Sequence, residues 1–439
     1  MPIQKTLQKI IVEIKEGTHP SDLAELVDEL NDQQRKELFE LLSDEEAALI
    51  IQEMEDFDQV SLIRLLTRHR ASSILKEMAV DDATDLLGEL SEEEVKELLS
   101  LIEEEAEEIK GLLRYREDTA GGIMTTEFIA LPEDIPVEEA ITRLREMAPD
   151  AEIIYYVYVI NAQTKLTGVI SLRDLIAAED GTLLEEIMLR NVISVPADMD
   201  QEEVARLVSR YDLLAVPVVD EEQRLLGIIT VDDIIDVIEE EATEDIYRLT
   251  GTGEVESVDI LEASVFGIVR KRLPWLIISL LGGLLSGSVI GSFETILQSI
   301  VILAVFIPVI MDMGGNVGTQ SSTLFVRGLA TGEIEEKDTW RYFMREVKIG
   351  VAMGVINGFF IAIAAALWQG IPVLGVVVGI AMFTTISLAA LIGTLIPIIF
   401  NHFGIDPAIT SGPFVTTIKD VTGLLIYFYI ATLFMRYLI

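Results

Sequence analysis

The sequence has no cysteine and only three histidines, His19, His69 and His402, which lie far apart along its 439 residues. These scarcities exclude disulfide bonds, thiolate chemistry and the usual ligand sets for zinc or copper. The sequence also lacks a patch of clustered lysine and arginine, so we expect no nucleic-acid partner. A glycine-rich phosphate loop, a histidine-supported nucleophile and a metal–histidine motif are missing as well, and we expect no enzyme activity.

Carboxylates are what the sequence has in excess, and they are concentrated in its first part. Residues 1–262 contain 65 acidic and 22 basic side chains, whereas residues 263–439 contain 9 and 10. The first part therefore has a formal charge of −43 and the second of +1, and we expect the first part to be water-soluble and to attract divalent cations. Oxygen ligands of this kind suit hard cations such as Mg²⁺, Ca²⁺ or Mn²⁺.

The acidic part contains two patterns of secondary structure. Residues 1–118 repeat short amphipathic helices with Leu, Ile or Met at helical spacing, which predicts an all-α helical array. Residues 119–184 and 185–241 form an internal duplication, in which TKLTGVISLRDLI (164–176) matches QRLLGIITVDDII (223–235). Each copy predicts helix, strand, turn, strand and helix, so the duplication is an α+β tandem.

Five apolar segments in residues 273–439 predict a membrane domain of five transmembrane helices, because each is long enough to cross a bilayer. A long acidic helix near 231–249 and a connecting segment, residues 242–272, precede them. The apolar segments lie near 274–293, 296–318, 349–368, 372–400 and 420–438. Basic residues precede the first segment and lie between the second and third, whereas the first-to-second and third-to-fourth loops have none. This bias predicts a cytoplasmic N-terminus and a C-terminus outside the cell.

Two predicted spans contain polar side chains that lipid does not solvate. The second span has proline or a polar residue at every fourth position, along one helical face that we expect to line a cavity. These residues are Pro308, Asp312, Asn316 and Gln320. In the last span Asp420 follows Lys419, and a carboxylate in such a segment usually faces a protein interior or a water-filled path. The alternatives are pairing of Asp420 with Lys419, a position at the membrane interface, and a small-residue helix contact at the GGNVG sequence.

The tandem resembles the cystathionine-β-synthase (CBS) domain pair, because GVISLRDL and GIITVDDI both follow the motif G-h-h-[ST]-x-x-D, in which h is apolar. In many proteins this regulatory module binds an adenine nucleotide, such as ATP, between its halves. The resemblance implies nucleotide contacts from Ser171, Asp174, Thr230 and Asp233. The alternative is a pair that holds no nucleotide, as in many of its relatives.

The whole chain is similar to the MgtE family of magnesium channels. The resemblance rests on PVIMDMGGNVGTQ, IDPAITSGPFVTTIKDVTG, EATEDI, the CBS pair and the acidic helical N-domain, which occur in the family's order. It implies a homodimer in the plasma membrane of a prokaryote, with five spans per subunit and a pore on the dimer axis. It also assigns the ion-selecting carboxylate to Asp420. Mg²⁺ keeps several waters and needs only one or two carboxylates, which agrees with this role.

Further candidate ligands for the ion are Asp312 and Asn316, on the polar face, and Asp406, in the loop before the last span. Asp312 stands where the family commonly has glycine, and Lys419 puts a positive charge beside Asp420. The extra carboxylate of Asp312 and the positive charge of Lys419 would each affect which cation is preferred. The sequence leaves open whether Lys419 faces the pore or the lipid interface.

The resemblance also implies a second set of Mg²⁺ ligands in the acidic part. There, bound Mg²⁺ bridges the N-domain, the CBS pair and the connecting helix, and it closes the channel when the cytosol is rich in Mg²⁺. The candidate ligands are Asp81, Asp85, Asp200, Glu202, Asp212, Asp233, Asp236, Glu241, Glu244 and Asp245. Several of them share a helix face, and like charges on one face destabilise a helix unless they are neutralised. The alternative is a solvated acidic face.

The principal hypothesis is a Mg²⁺-selective channel that admits Mg²⁺ to the cytoplasm and is closed by cytosolic Mg²⁺. A secondary carrier of Ca²⁺, Mn²⁺ or Co²⁺ is the first alternative, although no inverted repeat is visible among the spans. A non-conducting, membrane-anchored sensor of Mg²⁺ or nucleotide is the second. The polar face of the second span argues against this sensor, because a membrane anchor needs no such face.

Overall fold

The computed structural model describes residues 10–14, 16–102, 106–250, 265–408 and 412–438 of the chain. Its packing forms two compact units, Met1–Glu239 and Glu240–Ile439. We call them the acidic unit and the membrane unit. Part of the predicted connecting segment, residues 251–264, lies outside the described residues.

Short capped helices build the first part of the acidic unit. They are α1 Pro20–Asp28, α2 Asp32–Phe39, α3 Asp44–Gln52, α4 Asp56–Leu65, α5 Arg68–Leu75, α6 Val80–Gly88, α7 Glu92–Leu99 and α8 Ala106–Leu112. Asn31, Ser43 and Ser91 each begin a helix with a capping box, in which side chains satisfy the free main-chain donors at the N-terminus. Helices two places apart pack together, α1 on α3 and α3 on α5, and likewise along the even-numbered row. The predicted all-α array is confirmed.

Two similar three-stranded sheets follow the array. Their strands are β1 Ala130–Pro132, β2 Tyr156–Ile160 and β3 Leu166–Ser171, then β4 Val195–Pro196, β5 Ala215–Val219 and β6 Leu225–Thr230. Their helices are α9 Val137–Met147, α10 Leu172–Ala177, α11 Leu184–Ile187, α12 Gln201–Tyr211 and α13 Val231–Thr250. In each sheet the central strand is parallel to the first strand and antiparallel to the third. The predicted α+β tandem is confirmed.

The two halves of the tandem meet through main-chain groups at their β-turns. Leu166 N donates to Gln223 O at 2.9 Å, and Leu225 N donates to Thr164 O at 3.2 Å. Thr164 and Gln223 occupy equivalent turn positions and both have positive φ, 59° and 64°. The contact is therefore reciprocal, as the internal duplication of the sequence leads one to expect.

One apolar core joins the helical array to the second half of the tandem. It includes Leu112 and Met124 together with Val216 and Ile234. The first half has a separate core around Val157. Because burial of apolar surface is the main stabilising term in folding, the array and the second half are fixed to each other more firmly than a linker alone would achieve.

The membrane unit contains five helices that are long and apolar enough to cross a membrane. Its elements are α14 Val265–Ser292, α15 Glu294–Ser299, a 3₁₀ turn Val301–Phe306, α16 Ile307–Ala330, α17 Thr339–Gln369, α18 Pro372–His402, α19 Pro413–Leu433 and α20 Met435–Leu438. The prediction of five spans is confirmed, but several predicted ends are wrong: the first span begins at Val265 and not near 274, and the second ends at Ala330 and not near 318. The third span begins at Thr339 and the fifth near Pro413, because the charged and polar turns before 349 and 420 are themselves helical.

Helix α18 is the centre of the membrane unit and packs against α16, α17 and α19. Glycines permit the close approach. A Cβ on Gly354 would lie 2.8 Å from Phe383 O, and one on Gly393 would lie 2.3 Å from Gly318 O. The helices are therefore held by backbone contact at small residues, as is usual where lipid supplies no hydrophobic driving force between helices.

Candidate ion-binding sites

The polar face predicted on the second span is an exposed face of α16. Pro308, Asp312, Asn316 and Gln320 all have exposed side chains. Asn316 Nδ2 donates to Asp312 Oδ2 at 3.3 Å, so a hydrogen bond links the amide and the carboxylate on this face. Other residues of α16 are buried where the helix packs against α18 and α19. Polar groups uncovered within a membrane span must face water or protein, and this face is a candidate lining for an ion path.

Asp420 lies in the second turn of α19 and is half-buried. Its helix packs against α16. Asp420 and Asp312 both interact electrostatically with the charge of Lys419. The structure thus brings two of the predicted ligands, from different spans, close to the same lysine.

Lys419 itself faces neither open water nor lipid. Only 5% of its surface is exposed, and its Nζ donates to Gly315 O of α16 at 2.8 Å. The Lys419 ammonium group therefore donates its hydrogen bond to a neighbouring helix and not to the adjacent Asp420. This answers the question that the sequence left open about its direction.

Asp406 and Glu244 are both bound to the same arginine within the membrane unit. Arg248 Nη1 donates to Asp406 Oδ2 at 2.6 Å, and a main-chain N–H donates to Asp406 Oδ1 at 2.7 Å. Glu244 also pairs with Arg248. Glu241 and Asp245 lie on the same helix, α13, and are half-buried. The described contacts therefore give Asp406 and Glu244 a linking role between α13 and the loop before α19.

Glu346 is a buried carboxylate that our sequence interpretation missed. Only 5% of it is exposed, and it accepts a hydrogen bond from Ser321 Oγ at 2.9 Å, which links α17 to α16. It lies four residues before Gly350 in the buried series Gly350, Gly354 and Gly358. Extension of that helical series toward the N-terminus would have placed Glu346 on the buried face.

In the acidic unit, Asp81 on α6 is the most enclosed of the predicted ligands. It is 8% exposed, and its Oδ1 has no hydrogen-bond partner. Burial, followed by the charges of Asp82 and Asp233, raises the pKa of Asp81 to about 8. A buried carboxylate oxygen without a partner is costly, and a bound cation or a proton would remove that cost. Carboxylate oxygens are the type of ligand that a hard cation prefers.

Other carboxylates from both halves of the tandem lie around Asp81. Asp233 at the start of α13 and Glu152 before β2 both interact with its charge. Burial raises the pKa of Asp233 and of Asp236. Burial and neighbouring carboxylates also raise the pKa of Asp85 and of Glu152, and water screens this effect because both side chains are exposed. Among the described residues, no three His, Asp or Glu side chains lie close enough to hold one metal ion jointly.

Asp200, Glu202 and Asp212 have roles at the ends and on the surface of α12. Asp200 is the N-cap, and its Oδ1 accepts from Glu202 N at 3.0 Å. Asp212 is the C-cap, in the left-handed region with φ of 52°. Glu202 pairs with Arg206 at 2.5 Å. Helix formation accounts for these three positions, and their role as Mg²⁺ ligands stays a prediction.

The four predicted nucleotide contacts form one pair in each half of the tandem. Ser171 Oγ donates to Asp174 Oδ2 at 2.6 Å, and Asp174 N donates to Ser171 Oγ at 3.1 Å. Thr230 donates both its N–H and its O–H to Asp233 Oδ2. Ser171 and Thr230 also occupy the same register, at the end of β3 and of β6. Each pair caps the helix that follows it, α10 or α13.

Comparison with known proteins gives a matching sequence of domains. Residues 307–430 match the MgtE family model, described as a divalent cation transporter. Residues 18–118 match the MgtE intracellular N domain, and residues 120–181 and 184–240 match the CBS domain. The magnesium transporter MgtE of Thermus thermophilus is 44% identical over 329 residues, which cover 75% of this chain and 73% of that protein. The chain belongs to the MgtE family.

Further relatives of this MgtE-family chain agree with the assignment. The magnesium transporter MgtE of Enterococcus faecalis is 46% identical over 338 residues, 76% of this chain and 73% of that protein. A crystal structure of the cytosolic domain of the Mg²⁺ channel MgtE in complex with ATP is 42% identical, with a TM-score of 0.51, and covers 54% of this chain and 98% of that chain. Membership of a transporter family with five membrane spans confirms a multi-pass membrane protein and the expectation that the chain is not an enzyme.

Proposed function

We propose that this MgtE-family protein is a Mg²⁺-selective channel that admits Mg²⁺ to the cytoplasm. The observation that carries the proposal is the exposed polar face of α16, with Asp312 and Asn316, packed beside the helix that bears Asp420. Hydrated Mg²⁺ needs only one or two carboxylates, and its waters can bond to the remaining polar groups. That its relatives are named magnesium transporters favours Mg²⁺ over other divalent ions.

The same polar face supports a homodimer. An exposed carboxylate within a membrane span needs a second protein surface or a water-filled path beside it. Two facing copies would bring their Asp420 carboxylates toward one another, and a divalent cation between them would offset the repulsion. The distribution of basic residues supports a cytoplasmic acidic unit and an external C-terminus, in the plasma membrane of a prokaryote.

Cytosolic Mg²⁺ closes the channel, in our proposal, by binding to the carboxylates around Asp81. The unpartnered Oδ1 of Asp81 supports this, because it is a buried oxygen that a hard cation would satisfy. Asp81 would contact the ion directly, Asp85, Asp233 and Asp236 would reach it through its coordinated waters, and its charge would relieve their mutual repulsion. The preference of Mg²⁺ for the closed state is the energy source of such gating. Glu241 and Asp245, on α13, are further candidates.

An adenine nucleotide is the second ligand we propose for the acidic unit. The solved cytosolic domain of a relative contains ATP, and both copies of the CBS motif carry a hydroxyl and a carboxylate in matching registers. The candidate contacts are Ser171, Asp174, Thr230 and Asp233. Because a ligand that binds only the folded state raises its stability, ATP should raise the melting temperature, and Asp174→Ala should weaken that response.

Influx of Mg²⁺ into liposomes that contain the purified protein tests the proposed transport. Asp420→Asn keeps the shape of the side chain but removes its charge, and should lower Mg²⁺ influx about a hundredfold. Glu294→Gln is the matched control, because Glu294 is an exposed carboxylate of the membrane unit outside the polar face. The control should conduct like the wild type.

Three outcomes would contradict the proposal. Wild-type influx by Asp420→Asn would remove the carboxylate from the ion path and direct attention to Asp312. Preferential uptake of Ca²⁺, Mn²⁺ or Co²⁺ in competition would assign another ion. Absence of influx through the wild-type protein at low internal Mg²⁺ would favour the sensor hypothesis.

A further inference from the structure

The side chain of Lys419 occupies a groove that two glycines of α16 leave open. A Cβ on Gly318 would lie 3.1 Å from Lys419 Cδ, and a Cβ on Gly315 would lie 3.3 Å from its Nζ. Both distances are shorter than ordinary van der Waals contact, so a larger residue at either position would require the lysine side chain to shift. With 5% of its surface exposed, Lys419 is part of the wall of the helix bundle.

The ammonium group lies directly behind the polar face of α16. It donates to Gly315 O at 2.8 Å, and Gly315 immediately precedes Asn316 on that face. Its charge interacts with Asp420, its neighbour in the chain, and with Asp312, one turn before Gly315. The structure therefore fixes one positive charge beside the two carboxylates of the candidate ion path.

We infer that Lys419 is a specificity-determining residue, a resident positive charge that limits how tightly Asp420 and Asp312 hold the transported cation. The inference rests on the proposed function, in which Asp420 binds the ion. Without a nearby cation, the half-buried Asp420 together with Asp312 would attract a divalent ion more strongly, because a partly buried charge is screened less than one in open water. Conduction requires a site that the ion can also leave. The positive charge of Lys419 weakens binding of the cation enough to permit its release.

Two substitutions separate the charge of Lys419 from its hydrogen bond. Lys419→Met removes both, whereas Lys419→Gln removes the charge and keeps a donor for Gly315 O. Initial Mg²⁺ influx into liposomes is measured over a range of external Mg²⁺ concentrations, with the full-length protein. In both variants the half-saturating Mg²⁺ concentration should fall about tenfold, and the maximal influx should fall as well because release becomes slow.

A purely structural lysine predicts different results. If Lys419→Gln behaves like the wild type while Lys419→Met is impaired, the side chain is a hydrogen-bonding tether, and the inference is overturned. It is also overturned if maximal influx falls in both variants at an unchanged half-saturating concentration. Thermal unfolding and gel filtration check that the variants fold. If Lys419→Met does not fold, Lys419→Gln decides alone, because it retains the bond to α16.

Asp420→Asn in the same series distinguishes this inference from the proposed function. Loss of influx in Asp420→Asn together with wild-type half-saturation in Lys419→Gln would overturn only the role of the lysine. Undiminished influx in Asp420→Asn would overturn the role of the carboxylate, and the inference would fall with it.

Discussion

The two units of the molecule treat their carboxylates in opposite ways. In the acidic unit carboxylates are crowded: burial, followed by the charges of Asp82 and Asp233, raises the pKa of Asp81. In the membrane unit carboxylates are fewer, and two of the described ones have a specific partner: Asp406 pairs with an arginine, and Glu346 accepts a hydrogen bond from a serine. The comparison indicates that the properties of the acidic unit depend on the combined charge of many carboxylates, whereas those of the membrane unit depend on individual carboxylates.

The largest effect is expected at Glu346. Glu346→Ala leaves a cavity between α16 and α17 and removes the acceptor of Ser321, which together should cost about 3 kcal/mol in the free energy of unfolding. The measurement is thermal unfolding of the purified protein in detergent. Glu294→Ala, at an exposed carboxylate of the same unit, is the control and should melt like the wild type. Equal melting of the two variants would show that single carboxylates do not matter there.

The next effect is expected at Asp81, as a dependence on pH. Folded Asp81 has a pKa of about 8 against an ordinary value of 3.8, so the unfolded state loses this proton at lower pH. Between these values the unfolded state binds fewer protons, and stability without Mg²⁺ falls as pH rises. Asp81→Asn removes this term and should exceed the wild type in stability by about 2 kcal/mol near the upper end of the window.

Melting temperatures near both ends of that pH window, with and without Mg²⁺, provide the test of the Asp81 prediction. Mg²⁺ should stabilise the wild type more than Asp81→Asn, because the ion compensates the buried charge that the variant lacks. Glu92→Gln, on the exposed surface of α7, should keep the wild-type pH dependence. If the stability of Asp81→Asn fell with rising pH as steeply as that of the wild type, the buried charge of Asp81 would not be the cause of the pH dependence.

A smaller effect is expected at Arg248, which links α13 to the loop before α19. Arg248→Met leaves Asp406 and Glu244 without this cation and should raise the Mg²⁺ concentration that half-closes the channel by roughly threefold. Influx at graded internal Mg²⁺ measures it. Arg224→Met removes an exposed ion pair with Asp220 and should leave closing unchanged, because such pairs contribute little. Equal closing curves for both variants would exclude Arg248 from gating.

The smallest effect is expected from a neutral group, the N-cap Ser43. Ser43→Ala breaks the capping box of α3 and should lower the free energy of unfolding by about 1 kcal/mol, independently of pH and Mg²⁺. Ser100→Ala, at the end of α7, lacks this role and should cost less. If the destabilisation by Ser43→Ala depended on Mg²⁺, the stability of neutral positions in the helical array would also be coupled to the carboxylates around Asp81.

Periodicity and duplication were enough to predict the architecture. The helical array, the α+β tandem and the five spans follow from patterns that local sequence carries, and all are observed. The span ends were less predictable, since hydropathy alone places the start of α17 after Glu346 and its charged neighbours. Burial of that carboxylate depends on Ser321, which lies 25 positions away in the chain.

The candidate site shows the same limit. The glycines of GGNVG read in the sequence as a helix contact or a cavity lining, but the structure shows that two of them make room for Lys419. Likewise the sequence makes Asp406 a candidate ion ligand in the loop before the last span, and nothing in it indicates that Arg248 binds both Asp406 and Glu244. Such pairings depend on the packing of distant segments, which no local pattern encodes.

Where the two turns of the tandem meet, the contact consists of hydrogen bonds between peptide groups, next to an apolar cluster that includes Tyr158, Ala215 and Ile228. Side-chain substitution in those turns cannot remove it, because every residue except proline supplies the same N–H. Proline at Leu166 or Leu225 is the one replacement that deletes a bond outright. The hydrogen bonds between the two turns are therefore insensitive to most side-chain changes in those turns, whereas the apolar cluster beside them is not.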